Sequence, residues 1–255
     1  MSDAVMGAVL VGGASRRMGQ DKGALALEGT PMAHRVRRVL FDAGVGSVVF
    51  VGGPASDEGA IPDRWPGEGP LAGLATAVLH GAAVDGVEIV VVAACDQPDL
   101  TTEVLASLVQ ALHASPHEVV GSVARTSDGR RHPFPSAWRC AAGERLRSLV
   151  EAGQRRADAA LEAGPVVEVP APEAALEDLD TPADVAAWVA TRGGASRRPL
   201  SCPSRASRPT ARTMPPWTFQ RSTSPKPPDG TLREPPSSTC ASPMSTPRAT
   251  FPAPR

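Results

Sequence analysis

At 255 residues the chain has room for one or two domains, and its 42% hydrophobic content is ample for a core. A net charge of −1, no apolar run of membrane-spanning length and no cleavable N-terminal signal pattern argue against nucleic-acid, membrane and secretory roles. Cys95, Cys140, Cys202 and Cys240 are far apart and form no C-x-x-C pair, so neither a zinc site nor a disulfide framework is expected in what reads as a cytoplasmic protein.

The first element is the apolar run Val5 to Val11, which fits a strand buried on both faces. It feeds the stretch Leu10-Val11-Gly12-Gly13-Ala14-Ser15-Arg16-Arg17-Met18-Gly19-Gln20-Asp21-Lys22. Glycines let the backbone approach a ligand closely, consecutive N–H groups in such a turn form an anion nest, and Arg16, Arg17 and Lys22 add positive charge. The combination points to a polyphosphate. It is neither a P-loop, since Gly13 to Gly19 has one residue too many and Lys22 comes three after Gly19, nor a G-x-G-x-x-G dinucleotide fingerprint.

The stretch resembles the signature loop of the molybdenum cofactor guanylyltransferases, the MobA-like nucleotidyltransferases, L-x-G-G-x-S-x-R-M-G-x-D-K, at every fixed position. The resemblance implies a nucleotide site that includes Leu10, Val11, Gly12, Gly13 and Lys22, with Lys22 and Arg17 screening the leaving pyrophosphate. The pair Gly12-Gly13 also speaks for GTP. Cytidylyl relatives carry L-A-A-G, and the glycine removes a Cβ where the larger purine lies.

From Pro31 to Ala43, Met32, Val36, Val39 and Leu40 recur at helical spacing, which puts Arg35, Arg37 and Arg38 on the solvated face. Ser47 to Val51 is a short β-branched strand ended by Gly52-Gly53-Pro54, so the chain opens as a βαβ unit with parallel strands. A loop follows, and Gly69-Pro70-Leu71-Ala72-Gly73 opens a helix to about His80, whose N-terminus favours an anion. By the family resemblance this segment meets the guanine end of the nucleotide, and Asp63 becomes the candidate base contact. A carboxylate accepts two hydrogen bonds from guanine N1–H and N2–H₂, but Asp63 equally suits a loop cap.

Glu88 to Ala94 is the most strand-like run, expected at the centre of the sheet, and it ends in Cys95-Asp96-Gln97-Pro98. Ligands of open α/β sheets bind outside the carboxyl ends of strands. Asp96 is therefore the catalytic carboxylate and Mg²⁺ ligand of choice, also within nucleotide reach, while Thr101 or Thr102 caps the next helix and Cys95 is a packed small residue. Thr101 to Leu112 reads as a helix and Val119 to Ala124 as a strand. Asp128-Gly129 signals a hairpin, so Arg130 to Phe134 returns antiparallel. His132-Pro133 resembles the family's H-P-L element, with a structural role for His132 the better reading.

Gly143 to Ala152 is helical and Val166 to Val169 is the last strand. In Leu176-Glu177-Asp178-Leu179-Asp180-Thr181-Pro182, Asp178 and Asp180 replace two asparagines common in the family, and Asp180 is a natural helix cap that could also bring a carboxylate to the metal.

From residue 195 onward there are 10 Lys+Arg against 2 Asp+Glu, which leaves 16 against 25 for the preceding body, and about half of the 27 prolines fall in this stretch. Its composition fits a disordered arm or a shifted reading frame of GC-rich DNA. The whole therefore reads as a nucleotidyltransferase domain over 1–194 and a disordered Pro/Ser/Arg-rich tail over 195–255. The domain is a three-layer, Rossmann-like α/β fold with a mostly parallel sheet.

The resemblance implies transfer of GMP from GTP to the molybdopterin cofactor with Mg²⁺. Its protein partners would be molybdoenzymes or other cofactor-biosynthesis proteins. A nucleotidyltransferase using CTP or another phosphorylated acceptor is the alternative within the enzymes, and a non-catalytic nucleotide-binding regulator is the alternative outside them.

Overall fold

A computed structural model of the chain describes residues 4–11, 23–53 and 58–193. Gly12, Gly13, Arg16, Arg17, Lys22 and the stretch 195–255 lie outside the described residues.

β1 (Val5–Leu10) is buried along its whole length. β2 (Ala26–Leu27) and β3 (Thr30–Pro31) form a small antiparallel hairpin that the sequence reading did not anticipate. Its two-residue turn places Glu28 at φ 52° and Gly29 at φ 82°, the positive pair that a tight hairpin requires.

α1 (Met32–Asp42) buries Met32, Ala33, Val36 and Leu40. Of its arginines only Arg38 is solvated as expected. Arg35 donates to the Leu27 carbonyl at 3.2 Å and lies 5.2 Å from the ring of Trp188. Arg37 lies over Phe41 and Phe50, with its Nε buried. Arginine stems cover apolar surface and the flat guanidinium stacks on rings, so a helical arginine at the edge of a core need not face water.

β4 (Ser47–Val51), β5 (Ala60–Ile61), α2 (Pro70–Gly81), β6 (Ile89–Ala94) and α3 (Thr102–Ala114) follow. Thr101 caps α3, its hydroxyl accepting from the Val104 N–H at 3.4 Å.

β7 (Gly121–Arg125) turns into β8 (Arg131–Arg139), which runs five residues beyond the expected end at Phe134. The β7–β8 register jumps from Val123↔Ser136 to Ala124↔His132. Pro133 and Pro135 fall in the skipped stretch and have no N–H to give to a ladder, so a bulge forms there. α4 (Gly143–Glu151) and β9 (Val166–Pro170) complete the core, and α5 (Pro182–Gly193) closes the domain.

The expected Asp180 cap of α5 is corrected. Pro182 opens the helix, so the capping position belongs to Thr181. The Thr181 hydroxyl accepts from the Asp184 N–H at 3.2 Å, and the Asp184 carboxylate accepts from the Thr181 and Asp180 N–H groups at 2.7 and 3.1 Å, a reciprocal capping box.

The seven-stranded sheet has the order β5-β4-β1-β6-β8-β7-β9, with β8 antiparallel to both of its neighbours and the remaining pairings parallel. Strand residues alternate between two cores. Val5, Val9, Val91 and Ala93 face α1 and α3, while Met6, Ala8, Val90 and Val92 face α2 and α4. This is the expected three-layer α/β architecture. A third, smaller core of Leu27, Met32, Leu179 and Trp188 docks α5 onto the hairpin and the start of α1.

Candidate active site

A cavity of about 400 Å³ opens at the carboxyl ends of β1, β4 and β6. β1 contributes Leu10 and the following Val11, β4 contributes Val51, and β6 contributes Ala94 followed by Cys95, Asp96 and Gln97. From the β8 side come Arg130, His132, Pro133 and Phe134; Asp63 and the start of α2 form the opposite wall, and Asp178 reaches in from the loop before α5. Leu10, Val11, Asp63 and Asp96 are thus brought together as the sequence places them. Gly12, Gly13, Arg17 and Lys22 lie outside the described residues, directly after the cavity-lining Val11.

Asp63 has a structural task of its own. Its Oδ1 accepts from the Trp65 N–H at 3.0 Å and from the Thr76 hydroxyl at 2.9 Å, and the Arg64 N–H donates to that hydroxyl at 3.1 Å. The loop cap and the cavity wall are therefore the same side chain, and Oδ2 takes no hydrogen bond among the described residues.

The start of α2 behaves differently from the anion site expected of it. Pro70 has no N–H, the Leu71 N–H goes to the Arg155 carbonyl at 3.3 Å, and the Ala72 N–H returns to Gly69 at 3.1 Å. Gly69 is required by its φ of 89° and by the Arg155 carbonyl, which a Cβ would approach to 2.6 Å. Its smallness thus serves the packing of the chain on itself. Arg155 is further held by an ion pair with Glu68.

Asp96 stands immediately beyond the buried central strand, and its carbonyl accepts the Leu179 N–H at 2.9 Å. That bond seats the segment before α5 against the end of β6. Its flanking Asp178, rather than Asp180, lines the cavity. Leu179, the residue after it, is buried in the small core with Leu27, Met32 and Trp188.

Cys95 is buried, as expected of a packed small residue. His132 lines the cavity, 3.4 Å from the Thr126 hydroxyl, so the purely structural reading of it is incomplete. Burial first, and then the charge of Arg130, lower its pKa, which favours the neutral imidazole. Among the described residues no group of three or more His, Cys, Asp or Glu side chains is arranged to hold a metal. Magnesium does not need one, since it is commonly held by one or two carboxylates together with substrate phosphates, and Asp96 and Asp178 supply hard oxygen donors of that kind.

Gln97, Arg130 and Phe134 were not singled out as site residues from sequence. The local signal for Gln97 was its place directly after Asp96; its burial, at 2% exposed, is set by the fold.

The sequence model of the MobA-like NTP transferase domain matches residues 7–169. The chain belongs to that family. Among MobA-like relatives, the molybdenum cofactor guanylyltransferase of Rhizobium leguminosarum bv. trifolii is 33% identical over 135 residues, 52% of this chain and 63% of that protein. The probable molybdenum cofactor guanylyltransferase of Mycobacterium tuberculosis is 33% identical over 171 residues, 64% of this chain and 82% of that protein. A crystal structure of the molybdopterin-guanine dinucleotide biosynthesis protein A of Archaeoglobus fulgidus superposes with a TM-score of 0.60 at 23% identity, covering 74% of this chain and 99% of that one. That likeness shows the MobA-like fold, with its mostly parallel sheet flanked by helices.

Proposed function

We propose that the chain transfers GMP from GTP to the molybdopterin cofactor, releasing pyrophosphate. The observation that carries the reading is the meeting of β1, which leads into the glycine loop, with the carboxylate of Asp96 at the mouth of one cavity, in a chain of the MobA-like family. The terminal phosphate oxygen of the pterin attacks the α-phosphorus of GTP. The new P–O bond forms as the bond from the α-phosphorus to the bridging oxygen breaks, and pyrophosphate leaves with that oxygen.

Such chemistry asks the protein to position two anions and neutralise charge, with no covalent intermediate. Asp96 and Asp178 would hold Mg²⁺, which would supply charge neutralisation to the phosphates. Lys22 and Arg17 screen the leaving pyrophosphate, Gly12 and Gly13 carry no Cβ to hold the backbone away from the nucleotide, and Asp63 offers a carboxylate oxygen to guanine. The reaction belongs in the cytoplasm. That fits a chain in which, among the described residues, no helix is long and apolar enough to cross a membrane.

The test is incubation with Mg²⁺, each nucleoside triphosphate in turn and molybdenum-loaded molybdopterin, scored by pyrophosphate release. Release with GTP that depends on both metal and pterin is expected. Release that favours CTP, or none with any nucleotide, overturns the proposal.

A further inference from the structure

The β7–β8 hairpin sends its arginines to two different faces of the sheet. Ala124 is paired with His132 and Arg125 with Arg131, and one step on the Thr126 N–H donates to the Arg130 carbonyl at 3.0 Å, so Thr126 stands opposite Arg130. Residues opposite each other in an antiparallel pair share a face, and the faces alternate along each strand. Arg130, Thr126 and His132 are therefore on one face, and the Thr126 hydroxyl lies 3.4 Å from Nε2 of His132. Arg125 and Arg131 are on the other, and both reach Glu168, at 3.3 and 3.9 Å. In keeping with this division, Arg130 and His132 line the cavity and Arg131 does not.

Arg130 also differs from the other two arginines in its partners. Arg125 and Arg131 share a carboxylate, whereas the exposed guanidinium of Arg130 makes no hydrogen bond or ion pair among the described residues. The acidic residue of the turn, Asp128, is engaged elsewhere: its Oδ1 accepts from the Thr126 hydroxyl at 2.6 Å and from the backbone N–H of Arg130 at 3.0 Å. After burial, the charge of Arg130 is the next cause that lowers the His132 pKa, so the guanidinium acts on a ring at the cavity wall. Among the described residues lining the cavity, Arg130 is the one permanent cation, against the carboxylates of Asp63, Asp96 and Asp178.

The proposed reaction brings two anions together in this cavity. Lys22 and Arg17 of the glycine loop are assigned to the triphosphate, on the side of β1. β6 separates β1 from β8, so Arg130 belongs to the flank away from that loop. We infer that Arg130 binds the terminal phosphate of the pterin acceptor, holding two of its oxygens and leaving the third to attack the α-phosphorus. The guanidinium fork matches two oxygens of one phosphate and offsets the repulsion between the incoming phosphate and the triphosphate. The inference rests on the proposed reaction.

The experiment compares wild type, Arg130→Gln and Arg130→Lys. Binding of molybdopterin and of dephospho-molybdopterin is followed by pterin fluorescence, and steady-state kinetics are measured with GTP and molybdopterin varied separately. Arg130→Gln should weaken molybdopterin binding and raise its KM about tenfold, while KM for GTP stays within about twofold and dephospho-molybdopterin binds as it does to wild type. Lysine restores the charge without the fork and should recover part of the loss. The melting temperature should hold in both variants, because the guanidinium has no partner among the described residues to lose. A residue that only shaped the β7–β8 turn would weaken both pterins alike. Equal losses for the two pterins, a rise in KM for GTP instead, or no change in either KM overturns the inference and leaves the proposed reaction standing. A wild-type protein that binds molybdopterin through Arg130 yet releases no pyrophosphate with GTP defeats the reaction and leaves the phosphate contact standing.

Discussion

Asp63 can be tested by separating its two tasks. Its Oδ1 ties the loop to α2 through the Trp65 N–H and the Thr76 hydroxyl, at 3.0 and 2.9 Å. Asp63→Asn keeps an Oδ1 that can accept both bonds. Asp63→Ala removes them and leaves a backbone N–H and a hydroxyl to find new partners. At about 1 kcal/mol for each hydrogen bond, the alanine variant loses about 2 kcal/mol of stability and the asparagine variant well under 1 kcal/mol. The nucleotide reading is different. The second carboxylate oxygen becomes an NH₂ in asparagine, a donor facing the donors of guanine. A mispaired group of this kind costs about 1–3 kcal/mol, or roughly fivefold to more than a hundredfold in kcat/KM for GTP. Cytosine, which lacks that donor edge, should lose much less. The assay is kcat/KM for GTP and for CTP in both variants, together with urea unfolding followed by circular dichroism. An Asp63→Asn enzyme that folds normally and keeps the wild-type ratio of GTP to CTP turnover would refute the base contact and leave Asp63 as a loop tie alone.

Asp96→Ala should abolish Mg²⁺-dependent turnover while the protein stays folded; a variant with the wild-type rate would remove Asp96 from the chemistry. Lys22→Ala should weaken GTP binding more than GMP binding, by about 1.5–3 kcal/mol for a charge-assisted contact to the outer phosphates; calorimetry showing equal losses for both ligands would rule that placement out. Deletion of residues 195–255 should leave turnover and melting temperature nearly unchanged, since that composition lacks an apolar period with which to pack; a marked drop in melting temperature would count against it. Trp188→Phe should cost about 1–2 kcal/mol in urea unfolding, because the indole N–H donates to the Asp99 carboxylate at 2.9 Å, while phenylalanine keeps a ring for Arg35 and Arg192 to lie over. Stability equal to wild type would show that the indole N–H contributes nothing.

The sequence made legible whatever rests on short range. β1 and β6 could be read from uninterrupted apolar runs because a parallel strand buried on both faces has no polar position to confuse the pattern. Asp96 followed from being the first charged residue after such a run, and the β7–β8 turn from Asp128-Gly129. The features that were missed depend on partners remote in the chain. Nothing near Gly69 announces that the Arg155 carbonyl will lie against it, and nothing near Gln97 points to Phe134. Helical charge patterning sent Arg35 and Arg37 to solvent because it cannot see Trp188 or Phe50, the rings they cover.

The same distinction explains why the roles of Asp178 and Asp180 stayed open in the sequence. Read locally, Asp180 and Asp178 are equivalent acidic residues before a helix, and proximity to Pro182 favours Asp180 as the cap. In the fold Asp178 lines the cavity, and the next residue is the apolar Leu179. Its side chain enters the small core with Trp188, and its N–H binds the Asp96 carbonyl. Trp188 is in turn held by Asp99, three residues beyond Asp96, and Arg192 pairs with the same carboxylate. The segment after β6 and the final helix are thus fastened at two points, one backbone bond at Asp96 and one side-chain cluster at Asp99. In the proposed reaction Asp96 and Asp178 would hold Mg²⁺, and one makes and the other adjoins the backbone bond that fastens the two segments. The last helix therefore supports the cavity wall although none of its described residues lines the cavity, and loosening its clasp should be felt at Asp178.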